Sequence, residues 1–417
     1  MDQDGAELMS ASMSRSGSRA STTVVCGVPI DDVTLSETVD RVAELVERGR
    51  VTGRTHQVAT VNVNFIVNAV ADPTLLSLLQ RADLAIPDGM PLVWGSRLLG
   101  SPLRERVAGA DLVPALAERS AASGYSMYLF GAAEGVARRA AALLRARHPG
   151  LRVIGESGPF FATPDEMDHG ALQRIREAQP DILCVALGHP KQERWIEMYR
   201  RALGVPVAIG VGGSLDFLAG ATRRAPGWMQ RSGVEWVHRA MREPGRLLQR
   251  YARDAVRFGP QLLRDVLVVR RVADGRAQPC EVHRRDNTTV VRPQGRLDLS
   301  AATLGWSGQE WLAPPAGHHV VIDLAELDAL GHAELSVVVG LAKRLAERGG
   351  WLTLSSVPAT IARIILDLRL YDFLPTTSLA VPDGPLRAED TGVVQMAVPD
   401  TIARSSAAFP RGRMTSV

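Results

Sequence analysis

Apolar runs alternate with amphipathic segments from about residue 23 to residue 220. Continuous apolar stretches such as YSMYLFGA, DILCVALG and VPVAIGVGG predict buried strands, and segments such as LSETVDRVAELVERG and PKQERWIEMYRRAL between them predict helices. Strands that are apolar throughout are typical of parallel sheets covered on both faces. The pattern therefore predicts an α/β fold: a Rossmann-like, mostly parallel sheet with helices on both faces.

The pattern changes after Gly220 and divides the chain. Trp, Arg and Pro become frequent, Pro244 can open a helix, and a second, smaller α/β unit follows a linker-like stretch. We predict these segments: a disordered tail at 1–22, the core at 23–222, an Arg-rich helical appendage at 223–272, a linker at 273–287, the second unit at 288–383 and a flexible tail at 384–417.

Length and composition exclude several classes of protein. At 417 residues the chain is long enough for two domains, and no apolar run reaches the roughly 18–20 residues of a membrane-spanning helix. The N-terminus lacks the apolar stretch of a secretory signal. Cys26, Cys184 and Cys280 are far apart and odd in number, which argues against a disulfide scaffold and indicates the reducing cytoplasm.

Charge is concentrated in one segment. The net charge of +3 is too small for a general polyanion binder, but residues 223–257 hold nine arginines against Glu235, Glu243 and Asp254. Lysine is rare, and Lys191 and Lys343 are the two present. Retention of Lys191 against this background indicates a position where an ammonium group is needed.

Candidate ligand-binding residues follow the predicted strands, because ligands of doubly wound sheets lie at the carboxyl ends of strands. Thr60, Asn62 and Asn64 come first, either as helix caps or as groups that hold ligand hydroxyls. Asp88 and Gly89 follow the next strand, where the carboxylate is either a general base or part of an ordinary Asp-Gly turn.

Three further motifs are candidates for phosphate binding. Arg106 precedes Gly109 and Asp111, and is either a diphosphate ligand or a surface arginine beside a helix cap. ALGHPKQERWI begins a helix whose N-terminus favours a phosphate, although a solvated turn is the alternative. Its candidate residues are Gly188, Pro190, Lys191, Gln192 and Glu193. Glycine after a strand permits close approach of a ligand. The glycine candidates are Gly131, Gly212 and Gly213, and Asp216 is a candidate carboxylate close to the last two.

Metal and cofactor motifs are absent from the sequence. There is no HExxH, no Cys/His cluster, no GxSxG, no Walker A loop and no Asp-x-Asp within the predicted domains. We therefore expect no metal ion and no cofactor. Arginines, Lys191 and helix dipoles would have to neutralise a nucleotide diphosphate.

Taken together and in order, these motifs resemble the WecG/TagA/CpsF family of glycosyltransferases. The resemblance rests on TVNVNF, IPDGMPLVW, RVAGADL, LGHPKQERWI and the long segment from GVGGSLDFLAG to LLQRY. It implies a Rossmann-like domain that transfers an N-acetylmannosamine-type sugar, with inversion and without a metal, from a UDP-sugar donor to a polyprenyl-diphosphate-linked GlcNAc. The products are teichoic-acid linkage units or other cell-surface glycans.

The family's site residues carry over by position. Asp88 matches the proposed base, Thr60 its companion in the pocket, Asn62 and Arg106 polar pocket positions, and Gln192 the Gly-x-Pro-x-Gln-Glu loop. The C-terminal appendage is thought to close over the site and to contact the inner face of the cytoplasmic membrane as a peripheral protein. A solvated basic helix is the alternative. The arginines expected to contact lipid diphosphate or membrane are Arg239, Arg242, Arg246, Arg250 and Arg253.

The second unit, over about residues 288–382, resembles a STAS domain. That family places a phosphorylatable Ser or Thr in the loop before a helix, but the corresponding loop here, residues 330–334, has no hydroxyl. We therefore expect a docking or packing role, with a possible protein partner. A competing hypothesis is a non-catalytic sugar-nucleotide-binding regulator that signals through this domain. Nucleic-acid binding is disfavoured, because the basic segment is interleaved with apolar residues and no nucleic-acid-binding fold is evident.

Overall fold

The computed structural model describes residues 22–377 with short gaps, and the predicted tails lie outside it apart from Thr22. The gaps are 159–168, 223, 232–233, 243, 271–279, 294–296, 298, 300–303, 305, 308–309, 311–312, 328–329 and 372. The side chains of residues 230–231, 239, 242, 244, 246 and 269–270 are likewise outside the description.

Six parallel strands form the central sheet of the first domain, as the apolar runs predict. In sheet order they are β4, β3, β8, β7, β5 and β6. Their bounds are β3 His56–Val61, β4 Leu84–Pro87, β5 Ser126–Gly131, β6 Arg152–Glu156, β7 Ile182–Ala186 and β8 Val207–Gly210.

Helices cover both faces of this sheet. They are α1 Leu35–Thr52, α2 Val63–Ala71, α3 Pro73–Gln80, α4 Met90–Leu98, α5 Gly109–Ser123, α6 Val136–Arg147, α7 His169–Ala178, α8 Lys191–Tyr199 and α9 Ser214–Leu218. Val58 packs in the cluster that contains α1, α5 and α6, whereas its neighbour Ala59 packs with α2 and α3 on the other face. The prediction of a doubly covered parallel sheet is confirmed.

Local signals fix the ends of α1. Thr34 accepts a hydrogen bond from the Glu37 backbone N–H, and the Glu37 carboxylate accepts one from the Thr34 N–H, a reciprocal pair that satisfies two amides at the helix start. The helix ends at Gly53, whose φ of +67° is easily adopted without a Cβ.

The Arg-rich appendage is helical, as predicted, but its last helix is longer than the pattern indicates. It comprises α10 Gly227–Arg231, α11 Glu235–Arg242, a π-helical turn at Pro244–Leu248 and α12 Gln249–Arg270. The sequence predicts an end near Phe258, but α12 continues through Pro260. Phe258 and Val266 are buried in the cluster with α2, α3 and α4, and this packing offsets the helix-breaking tendency of Pro260.

The second domain is a five-stranded α/β unit. Its sheet order is β13, β12, β11, β10, β9, with β9 antiparallel to β10 and the other pairs parallel. The elements are β9 Glu281–Arg285, β10 Thr288–Arg292, β11 His319–Asp323, α13 His332–Glu347, β12 Trp351–Ser355, α14 Ala359–Asp367 and β13 Thr376–Thr377. The strand β9 lies within the stretch predicted as linker, and its pairing with β10 explains how a polar, half-exposed segment becomes ordered.

The predicted first strand is a hairpin outside the large sheet. β1 Thr22–Val25 and β2 Val28–Asp31 pair with each other and lie against α13 of the second domain. The Val24 N–H lies 3.3 Å from the Ser336 hydroxyl oxygen, and the Val24 carbonyl lies 2.6 Å from His332 Nε2. The hairpin thus joins the two domains.

A half-buried ion pair reinforces this junction. Lys343 Nζ lies 2.8 and 2.6 Å from the two carboxylate oxygens of Asp31. One of those oxygens also accepts a hydrogen bond from the Ala85 N–H in β4, at 2.8 Å. The second domain is therefore connected, through one carboxylate, to the strand that precedes Asp88.

Candidate functional site

Four loops meet at the carboxyl ends of β3, β4, β7 and β8. The Thr60 hydroxyl, in β3, is buried and donates to the Gly210 carbonyl at the end of β8, at 2.7 Å. A Cβ on Gly109 would lie 2.7 Å from the Ser214 hydroxyl oxygen and 3.7 Å from the Thr60 methyl carbon. Glycine at position 109 thus allows α5 to begin against the ends of β3 and β8.

Asp88 follows β4 at this edge and is half-buried. Its backbone N–H donates to the Val61 carbonyl at 2.7 Å, and the Val107 N–H donates to the Pro87 carbonyl at 2.8 Å. A Cβ on Gly89 would lie 3.5 Å from the Cβ of Asn62. The turn with Asp88 is therefore held between the end of β3 and the loop that carries Arg106.

The two asparagines after β3 have contacts of different kinds. Asn62 is the N-cap of α2, and its side chain accepts from the Asn64 N–H at 3.0 Å, so the capping alternative holds for this residue. The Asn64 amide nitrogen lies 3.3 Å from both carboxylate oxygens of Asp254 in α12. Asn64 thus connects the core to the appendage.

The Lys191–Glu193 turn begins α8 as predicted, but it is not a solvated turn, because Gln192 and Glu193 are each 1% exposed. The Gln192 amide nitrogen donates to Glu193 at 2.7 Å, and its oxygen accepts from the Gly212 N–H at 3.0 Å. Glu193 also lies 2.9 Å from His189 Nδ1, and the His189 ring stacks on Phe65 at 3.7 Å between centroids. Gln192 therefore holds the glycine loop after β8.

Two other members of that motif precede the helix. Gly188 has a φ of +78°, which favours glycine, and Pro190 occupies the N-cap position without a side-chain cap hydrogen bond. Lys191 is the first residue of α8 and is half-buried. The first turn of α8 thus lies near the carboxyl end of β7, with its Gln192 N–H bonded to the Gly188 carbonyl at 3.0 Å.

The remaining glycines have two roles. Gly131 ends β5 with a φ of +101°, and a Cβ there would lie 2.7 Å from the Ala186 carbonyl oxygen, so glycine is required by the packing of β5 against β7. Gly212, with a φ of +50°, and Gly213 form the turn into α9. Asp216 lies in the first turn of α9, and its carbonyl accepts from the Thr222 N–H.

Two arginines and two carboxylates form a cluster beside Asp88. Arg106 Nη1 lies 3.1 Å from Glu235 of α11, and Arg106 Nη2 lies 3.7 Å from Asp111. Arg224 makes two hydrogen bonds to Asp111 and lies 3.5 Å from Glu235. The expectation that Asp111 caps a helix is wrong: it lies in the first turn of α5 and pairs with Arg224. Nor is Arg106 a free surface arginine.

Electrostatics favours the charged form of Arg224. Burial alone would lower the pKa of the Arg224 guanidinium, but the carboxylates of Asp111 and Glu235 outweigh burial and raise that pKa. The cluster is therefore a set of formal charges that sum to zero: two guanidinium groups shared by two carboxylates.

The basic appendage is described in part. Arg250 is half-buried with its guanidinium carbon 5.1 Å from the Tyr251 ring centroid, and its Nε has no hydrogen-bond partner among the described residues. Arg253 is exposed, with its Nε 3.6 Å from Asp254. The side chains of Arg239, Arg242 and Arg246 lie outside the described residues, so their predicted lipid contacts stay predictions.

Arg224 and Glu235 are the site residues that sequence reasoning misses. Both lie in the Arg-rich segment, where Glu235 counts only as a counter-charge. Glu235 is 129 positions from Arg106, and no local pattern indicates such a pairing. The excess of arginine in that segment was the available signal.

Within the described ranges, no group of three or more His, Cys, Asp and Glu side chains is arranged to hold a metal ion. Among the helices that the structure describes, none is both long enough and apolar enough to cross a membrane.

The parallel sheet, with its loops gathered at the carboxyl ends of four strands, defines a doubly wound α/β protein, a class in which ligands bind at this edge of the sheet. A family model for the glycosyl transferase WecG/TagA/CpsF family matches residues 23–272, more than half of the chain, and the chain belongs to that family. It is accordingly a glycosyltransferase. Residues 280–375 match a second model, described as "Mlab, STAS domain".

Curated relatives share the first domain. An enzyme of Bacillus spizizenii is 32% identical over 189 residues, which cover 45% of this chain and 72% of the relative. One of Staphylococcus aureus is 28% identical over 217 residues, 52% of this chain and 83% of the relative. Both are named N-acetylglucosaminyldiphosphoundecaprenol N-acetyl-beta-D-mannosaminyltransferase.

Proposed function

We propose that this glycosyltransferase moves an N-acetylmannosamine-type sugar from a UDP donor to a polyprenyl-diphosphate-linked GlcNAc during synthesis of a cell-surface glycan. The names of the relatives supply the sugar and the lipid-linked acceptor. The observation that carries the proposal in this chain is the position of Asp88: a half-buried carboxylate at the carboxyl end of β4, beside the loop that carries Arg106.

The proposed reaction is a single displacement with inversion. The Asp88 carboxylate takes the proton of the acceptor hydroxyl, the hydroxyl oxygen forms a bond to C1 of the donor sugar, and the bond from C1 to the UDP oxygen breaks, with its electron pair leaving on UDP. Arginine side chains and the first turn of α8 stabilise the charge that develops on the leaving diphosphate. In this proposal positive charge comes from the protein, and no metal ion is needed.

The appendage is proposed to hold the enzyme at the inner face of the cytoplasmic membrane. Val256, Leu263 and Leu267 of α12 are more than half exposed, and they follow a helical spacing beside Arg253 and Arg264, which are exposed as well. A helix face of apolar residues flanked by cations suits an interface with anionic lipid. Such a location would place the site near a lipid-linked acceptor.

Release of UDP tests the proposal. Purified full-length enzyme is incubated with UDP-N-acetylmannosamine and a short-chain lipid-diphosphate GlcNAc analogue, with UDP-GlcNAc and UDP-glucose as donor controls. We expect UDP release that requires both substrates and persists in EDTA. A chain that binds UDP-sugars without turnover would instead support the regulatory-binding hypothesis, and loss of activity in EDTA would contradict metal independence.

Membrane association is tested separately. Co-sedimentation with vesicles that contain anionic phospholipid is expected, and it should weaken as salt rises. Leu263→Glu is expected to reduce sedimentation. Equal binding to duplex DNA and to vesicles would contradict the membrane proposal.

A further inference from the structure

The Arg106–Arg224 cluster has a second implication, which rests on the proposed function. We propose that Arg224 is a diphosphate-binding residue alongside Arg106, and that the Glu235 carboxylate occupies this arginine pair until the donor diphosphate displaces it. Glu235 would thus compete with the donor from within the chain.

The placement of the arginine pair supports a diphosphate site. Arg106 is followed by Val107, whose N–H is bonded to the Pro87 carbonyl directly before Asp88. Arg224, at the start of the appendage, contacts the same two carboxylates as Arg106. Two guanidinium groups that share partners lie close to each other, and each can bind a phosphate group of a diphosphate through two of its N–H groups.

Charge balance indicates that one carboxylate must leave. The cluster is neutral with Asp111 and Glu235 both present, so a diphosphate bound beside both would add negative charge to two carboxylates. A diphosphate and a carboxylate that contact the same arginine repel each other strongly where water is partly excluded. Binding is therefore favourable only if one of the two carboxylates moves away from the arginines.

Geometry identifies Glu235 as the group that leaves. Asp111 is held in the first turn of α5 and makes two hydrogen bonds to Arg224. Glu235 makes a single hydrogen bond to each arginine, at 3.1 and 3.5 Å, from the first turn of α11 in the appendage. Asp111 can keep Arg224 oriented while Glu235 withdraws.

Trp236, the next residue in the chain, would change its surroundings when Glu235 is displaced. Trp236 stands edge-on to Tyr251 of α12, with ring centroids 5.9 Å apart. Movement of Glu235 out of the cluster would carry Trp236 with it, so the donor would act on the appendage through α11.

The test is a calorimetric titration of the full-length protein with UDP at one ionic strength. Glu235→Gln is expected to lower the dissociation constant for UDP by about 3–10-fold, since it removes an internal competitor. Arg224→Gln is expected to raise it at least about 10-fold, the scale of a charge-assisted hydrogen bond. Asp367→Asn removes an ion pair between Asp367 of the second domain and Arg264 of α12; it is the matched control and should not change the dissociation constant.

The outcomes separate the two proposals. Wild-type binding of UDP without tighter binding by Glu235→Gln overturns the inference and leaves the proposed function in place. Absence of UDP binding in every variant contradicts both. As a second measurement, UDP should change tryptophan emission in wild type but not in Trp236→Phe; an unchanged emission, or a change that survives in Trp236→Phe, also overturns the inference.

Discussion

Charged groups occur at both ends of the central sheet, but they are arranged differently. At the amino ends, Asp83 precedes β4 and is buried, with His56 Nδ1 at 2.8 Å, Arg54 at 3.1 Å and the Gln57 N–H at 2.9 Å, and a further contact to Arg200. All of these partners of Asp83 belong to the first domain and none to the appendage. At the carboxyl ends, Arg106 shares its carboxylates with the appendage.

This difference indicates that the charges around Asp83 stabilise the fold, whereas we propose that those around Arg106 bind a ligand. Burial alone would raise the pKa of Asp83, but the hydrogen bond from His56 and the charges of Arg200 and Arg54 lower it to about 2. A carboxylate with this many hydrogen-bond and ion-pair partners stays in its charged form. The cluster at the carboxyl ends is less buried and joins two parts of the chain, which supports the proposal that a ligand exchanges with one of its partners.

The largest effect is expected at the carboxyl end. Asp88→Asn should reduce turnover at least about 100-fold, the usual scale for loss of a general base, because the amide cannot take the proton of the acceptor hydroxyl. The urea midpoint should stay within error, since Asn keeps the backbone contacts of Asp88. UDP release measures the rate, Asp367→Asn is the control, and near-normal turnover would rule out Asp88 as the base.

The corresponding change at the amino end should affect stability instead. Asp83→Asn leaves Arg200 and His56 without their carboxylate in a buried position, so the free energy of unfolding should fall by about 3 kcal/mol. Urea denaturation measures it. Turnover per folded molecule should change less than about two-fold, and a large loss of turnover in the folded variant would show that the two ends are not separable in this way.

Stability should also depend on pH through Asp83. Its pKa in the folded protein is about 2, against 3.8 for the free side chain. Because the folded-state pKa is lowered, the contribution is complete above about pH 4 and disappears as pH falls towards 2, an amount of about 2 kcal/mol. The loss between pH 4 and 2 should be smaller in Asp83→Asn than in wild type, and equal losses would contradict the assignment.

A smaller loss of stability is expected for an ion pair at the amino ends of the strands that is partly exposed to solvent. Arg50 lies 2.8 Å from Asp181 and 5.0 Å from the Tyr125 ring centroid, but 40% of its side chain is exposed. Arg50→Ala should therefore cost about 1 kcal/mol of unfolding free energy. Arg138→Ala removes an ion pair exposed on both sides and should cost less than that; a reversed order would show that burial does not set these energies.

The sequence predicts the sheet well because strands such as β7 and β8 are apolar throughout and helices carry local caps, such as Thr34 with Glu37. It also predicts that Asp88 and Arg106 lie beyond strand ends, where ligands of this fold bind, and their role in the site stays a prediction. It does not predict that Gln192 uses its amide on Gly212, or that Glu235 pairs with Arg106. Such contacts join distant positions, and periodicity reports only neighbours in the chain.

The hairpin at Thr22–Asp31 illustrates the same limit. Its residues have the apolar character of a strand, and the strands do form, but they pair with each other and lie against α13. The Lys343–Asp31 pair that fixes this arrangement spans 312 positions. Docking of the second domain is thus a tertiary property that the predicted packing role anticipates only in general terms.

A crystal structure of the full-length protein with bound UDP would show which edge of the sheet holds the diphosphate. We expect the diphosphate at the carboxyl ends of β3, β4 and β7, within hydrogen-bond distance of Arg106 and next to the Asp88 turn. A diphosphate bound at the amino ends, near Asp83 and Arg200, or in the second domain would contradict this expectation.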